Sequence, residues 1–326
     1  MRQYAVIAVK ATISVGLLYF ALSRIDFRTI VERLNQIELS WGLFALALLA
    51  AQQLLTSIRW LVIVQQCNAE LSLLRAFRLN LIAAFFNQVL PSTVGGDAVR
   101  IWLFAGGGVG WALATHSVLL DRFIGVLGLA LLVLVGLPWS FQLIENPIGR
   151  VALLVIGCGC VGAGLTFVAL GSRNWLWMQR FWPTRQIIQF SARALDLLTS
   201  PGRASLVIGL SILIHVMTAA VAWCVARAIV IPLELLPALL LMPPVLLVAT
   251  VPISIAGWGV RESALMLAFA YAGLPEADGL LVSIAFGIVN LAIGILGGAI
   301  WFISKGSLSR KETLWPDQQA PSTRDL

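Results

Sequence analysis

Apolar runs of about 20 residues, the length a helix needs to cross a bilayer, recur along this chain and leave it little else to fold into. They cover roughly 4–22, 41–64, 116–137, 151–171, 204–229 and 280–303. Of the 326 residues, 60% are hydrophobic and 11% charged, against about 25% charged in soluble domains. A soluble fold is excluded on that balance. Membrane β-strands would alternate apolar and polar residues, whereas these runs are continuous. The expected fold is an all-α polytopic membrane protein. The first run carries Lys10 and ends without a small-residue cleavage signal, so it is expected to stay as a helix.

Two stretches break the pattern. Residues 91–100 read Pro-Ser-Thr-Val-Gly-Gly-Asp-Ala-Val-Arg, and 252–261 read Pro-Ile-Ser-Ile-Ala-Gly-Trp-Gly-Val-Arg. In lipid, irregular backbone survives only inside protein or beside a wet cavity. The apolar pieces flanking each break (79–90 and 101–104; 235–251 and 263–272) are too short for full spans. Two re-entrant hairpins of half-helices are the economical arrangement.

The breaks align without gaps, pairing Pro91 with Pro252, Gly96 with Gly257, Val99 with Val260 and Arg100 with Arg261. Loop charges place the first hairpin as entering from the cytoplasm, after Arg75 and Arg78, and the second from outside, beside Glu234, Glu276 and Asp278. An inverted-topology repeat is expected, about 1–137 and 150–303, within one membrane domain over 1–303. The loop 172–203 carries Arg173, Arg180, Arg185, Arg193 and Arg203 against Asp196, which makes it cytoplasmic. Its 187–199 section reads as an amphipathic surface helix. Lys305, Arg310 and Lys311 put the C-terminus inside. The expectation is a multi-pass inner-membrane protein with both termini cytoplasmic and a disordered tail over 304–326.

A half-helix starting after Gly95 and Gly96 would expose unpaired backbone N–H groups. Asp97 would serve as its N-cap, and Arg100 would hold a phosphate one turn in. Gly257, Gly259, Arg261 and Glu262 offer the same parts at the second break. Arginines approaching from opposite faces would form one basic chamber for a phosphorylated headgroup. Against this, Arg100 could simply pair with Asp97, and Arg261 with a carboxylate elsewhere. Asp121 and Arg122 stand equally between a structural pair and the site. Arg59 is expected to snorkel towards the interface, and His116 and His215 to be packed rather than catalytic. Asn290 fits a helix–helix hydrogen bond as well as a site. Cys67, Cys158, Cys160 and Cys224 show no metal or disulfide spacing, so no metal or cofactor is expected. The net charge of +7 lies in loops that meet anionic lipid, and no basic patch interleaved with aromatics points to nucleic acid.

The runs over 91–100, Ser117-Val-Leu-Leu-Asp-Arg122 and 252–262 resemble the lysylphosphatidylglycerol synthase transmembrane-region, or flippase-like, family. The chain is similar in this to the membrane half of the multiple peptide resistance factor, which flips aminoacylated phosphatidylglycerol. The resemblance implies that Asp97, Arg100, Asp121, Arg122, Arg261 and Glu262 sit at signature positions. No soluble acyltransferase domain follows, so synthesis of the aminoacyl lipid is not expected.

The function expected is a flippase moving a phosphate-bearing lipid of phospholipid, aminoacyl-phosphatidylglycerol or polyprenyl-phosphate type, without catalysis. No nucleotide-binding glycine loop is present, so energy would come from ion coupling or a lipid gradient. The competing reading is a membrane-embedded transferase, with Asp97, Asp121 and Glu262 as its only acid–base candidates. A scaffold for a separate lipid-modifying enzyme is a third.

Overall fold

The computed structural model of the chain describes residues 36–90, 94–172, 182–251 and 258–311, with Thr12, Gly16 and Tyr19 in addition. The first apolar run otherwise lies outside the described residues, as do 91–93, 252–257 and the tail from 312 onward.

Ten α-helices are described, and no strand occurs among the described residues. They are α1 (Leu39–Gln66), α2 (Leu73–Val89), α3 (Gly95–Phe104), α4 (Trp111–Leu143), α5 (Pro147–Leu170), α6 (Trp182–Thr199), α7 (Pro201–Ala228), α8 (Leu235–Ala249), α9 (Val260–Tyr271) and α10 (Glu276–Lys311). Five are long and apolar enough to cross a membrane: α1, α4, α5, α7 and α10, the last over Glu276–Ser304. The chain is an all-α polytopic membrane protein.

Several boundaries differ from expectation. The helix α4 runs through Pro138 to Leu143, past the end of the apolar run at 137. Membrane helices tolerate proline because neighbouring groups satisfy the freed carbonyls; α8 likewise carries Pro243 and Pro244 inside it. The last helix continues to Lys311, past the boundary expected at 303. The amphipathic helix is longer than 187–199, and it buries Ile188, Ser191, Ala194 and Leu197 on one side. Asn290 donates its amide N–H to the Phe286 carbonyl of its own helix at 2.8 Å. Burial pushes the Cys67 thiol up against the opposing pull of Arg193.

Two pairs of short helices, α2–α3 and α8–α9, flank the two breaks, and each pair packs against itself. The pairings recur in equivalent sets. The helix α2 packs on α10 and α8 packs on α4; α3 meets α4 and α9 meets α10; α1 meets α2 and α7 meets α8. The two leading spans, α1 and α7, form the most extensive contact of all. Small residues make the close crossings possible. A side chain at Gly297 of α10 would overlap the Leu81 carbonyl of α2.

Candidate functional site: a buried arginine–aspartate network

Asp97 and Arg100 leave α3 one turn apart on the side facing α4, which brings Asp121 and Arg122. The structure brings these four expected residues together and adds a fifth. Asp121 accepts from Arg59 Nε at 2.8 Å through Oδ1 and from Arg100 Nη2 at 3.1 Å through Oδ2. Asp97 accepts from Arg122 Nε through Oδ2 and lies 3.5 Å from Arg100 Nη2 through Oδ1. All four carboxylate oxygens therefore face guanidinium groups. Arg59, Asp97, Arg100 and Asp121 are buried, and the Arg122 side chain is 42% exposed.

Arg59 is the clearest departure from expectation. It does not snorkel. Its place in α1 points it at Asp121, and its Nη1 donates to Ser211 of α7 at 3.0 Å. A charge that finds a carboxylate inside the bundle has no reason to stretch to the interface.

Neutral groups complete the network. Asn80 of α2 accepts from Arg100 Nη1 at 2.8 Å and donates to Ser57 at 2.9 Å. The Arg100 guanidinium lies 4.6 Å from the Trp60 ring centroid, a cation–π contact. Beside the network rather than in it, His215 Nε2 sits 2.9 Å from the Gly125 carbonyl, and Gln52 donates to Thr218 at 2.8 Å. Arg100 Nε is buried with no hydrogen-bond partner.

A cavity of about 220 Å³ opens at the network, lined by Arg59, Asn80, Asn87, Asp97, Arg100, Asp121, Arg122 and His215, with Thr250 at the edge of the second break. Three arginines meet two aspartates here, so among the described residues of the cavity guanidinium groups outnumber carboxylates.

The glycines play a different part from the one expected. A side chain at Gly96 would overlap the Ala83 carbonyl, so Gly96 lets α3 press against α2. Its N–H already donates to Asn87 Oδ1 at 2.9 Å. Gly95 lies against Leu90 in the same crossing. Asp97 is not the N-cap; that position is Val94, and Asp97 is the acidic residue of the first turn, where it complements the helix dipole. At the second break, Gly259 has φ 85°, a left-handed conformation suited to glycine. Its N–H donates to Glu262 Oε2 at 2.7 Å. The amides of Gly96 and Gly259 are thus taken by side chains and not open to a phosphate. Gly257 lies outside the described residues.

Arg261 and Glu262 form a separate cluster and are not among the residues lining the polar cavity. Glu262, fully buried, accepts from Arg261 Nη2 at 2.7 Å and from Ser283 Oγ at 3.0 Å. Arg261 Nε donates to Ser283 at 3.0 Å, and its guanidinium lies between the Trp258 and Phe286 rings, 5.2 and 5.4 Å from their centroids. This cluster is electrically neutral. The single chamber expected from two opposed arginines is replaced by one charged cavity and one closed pair.

The family model described as "Lysylphosphatidylglycerol synthase TM region" matches residues 7–298. No curated protein and no solved structure matches the chain.

Proposed function

The chain belongs to the family of the lysylphosphatidylglycerol synthase transmembrane region, and on that premise we propose that it is a lipid translocase. It moves a phosphate-bearing lipid across the inner membrane and leaves the lipid chemically unchanged. One observation carries the reading: three guanidinium groups, Arg59, Arg100 and Arg122, converge on one polar cavity among membrane-spanning helices. Ionisable groups at such depth are costly and mark substrate paths. Arg100 lines the cavity and its Nε is buried without a partner, and arginine is the side chain suited to phosphate.

The reading contains no chemical step. Both aspartates of the cavity have their oxygens turned to arginines, an arrangement that holds charge rather than one that takes a proton from a substrate. The recurring helix pairings support an inverted repeat with re-entrant hairpins, and rocking of the two halves about the breaks would alternate access. The basic residues after α5 and at the end of α10 support cytoplasmic placement of the C-terminus.

Proteoliposomes carrying a fluorescent phosphatidylglycerol test this. A hydrogen bond to a charged group contributes about 1.5–3 kcal/mol, so Arg100→Ala should slow translocation roughly tenfold or more. Arg100→Lys keeps the charge without the planar fork and should fall between. Wild-type rates in both variants, each eluting as a folded particle, would remove the basis of the proposal.

A further inference from the structure

At about 220 Å³ the polar cavity is smaller than the ~300–1,000 Å³ of sites that hold a whole small molecule. It has room for a headgroup, and the tails must lie elsewhere. A second cavity of about 380 Å³ opens between α5, α8 and α9. Its wall is apolar, with Ala152 and Ile156 from α5, Val245 and Val248 from α8, and Ala264 and Leu267 from α9. From Val260 to Tyr271 it follows α9 for about 16 Å at 1.5 Å per residue, roughly half the ~30 Å hydrocarbon core. That is the depth of one lipid chain.

One polar side chain in this wall is out of keeping with the rest. Ser263 Oγ is buried and has no hydrogen-bond partner. Hydroxyls in α1 and α7 bond the carbonyl four residues back, as Ser57, Ser211 and Thr218 do. Ser263 uses the Gly259 carbonyl only through its backbone N–H, at 2.9 Å. Its hydroxyl is an unpaired donor at the wall of an apolar cavity. The two cavities also border the same break: Thr250 lines the polar one, and Val248 and Val260 line the apolar one.

We propose that the apolar cavity holds one ester-linked hydrocarbon chain of the lipid, with Ser263 Oγ–H donating to the ester carbonyl. The proposal rests on the translocase reading of the polar cavity. It narrows the substrate to an acyl-ester glycerolipid, because a polyprenyl chain has no carbonyl and would leave the hydroxyl unpaired.

The test uses the full chain in phosphatidylcholine nanodiscs and a phosphatidylglycerol probe with a diazirine on one acyl chain. Cross-links are expected on the cavity wall, within 149–156 and 260–271. Diacyl phosphatidylglycerol should compete about three- to tenfold better than its dialkyl-ether analogue, the worth of one hydrogen bond. Ser263→Ala should erase that preference. Ala152→Leu and Ala264→Leu, filling the cavity from opposite walls, should each suppress labelling while melting as the wild type does. Labels scattered over lipid-facing side chains, or equal competition by ester and ether lipids in the wild-type protein, would overturn the proposal without need of any variant. Translocation measured on the same preparation separates the two readings. Labelling without translocation defeats the translocase and leaves the chain site standing, whereas translocation without cavity labelling defeats the chain site alone.

Discussion

Asp121→Ala is expected to lower the stability of the protein by about 3–5 kcal/mol, the usual cost of removing one partner from a buried ion pair. Asp121 is the hub between α1 and α3, with Arg59 on one oxygen and Arg100 on the other. Its loss takes the carboxylate from Arg59 altogether and leaves Arg100 only the longer 3.5 Å pairing with Asp97. Thermal melting of the detergent-solubilised protein reads the effect directly. A double-mutant cycle of Asp121→Ala with Arg59→Ala should show coupling of about 0.5–3 kcal/mol, the range for residues in one network. Additive losses would mean that the two residues do not share a network in the folded protein.

The second large effect is expected at the other break. Glu262 is fully buried and accepts from Arg261, Ser283 and the Gly259 amide. Glu262→Ala leaves Arg261 uncompensated and α9 uncapped, again for about 3–5 kcal/mol. Replacing both members of a buried pair by apolar groups of similar volume is often neutral. Arg261→Met combined with Glu262→Leu should therefore recover most of the loss, less about 0.5–2 kcal/mol for the missing cap. That double variant should still translocate lipid. A folded double variant with no translocation would put Arg261 back on the lipid path and contradict its role as a closed pair.

Much of this was legible in the sequence, for physical reasons. Apolar runs of span length dictate helices, and a proline with paired glycines among them dictates a break. The charges Asp97, Arg100, Asp121 and Arg122 were legible because a charge among membrane helices needs a partner. Arg59 was missed because distance from a helix end was weighed and partners were not. The signal was present: Gln52, Thr56 and Arg59 fall at i, i+4 and i+7, one polar face of α1, and Thr56 and Arg59 line the polar cavity. The use of Gly96 and Gly259 was not legible, because whether an amide is open depends on Asn87 and Glu262 turning back to it. The separation of Arg261 from Arg100 was hidden for a similar reason. Aligned motifs say that two segments are alike, but packing decides whether they face one cavity.

Locating the phosphate of a bound lipid, by an experimental structure of the protein with bound phosphatidylglycerol, tests the central claim most directly. The account predicts a phosphate oxygen at charge-assisted hydrogen-bond distance from Arg100 Nε, about 2.7–2.9 Å, inside the cavity bounded by Asp97, Asp121 and His215. A lipid phosphate seated instead on Arg261, or a cavity that holds only water with lipid at saturation, would contradict it.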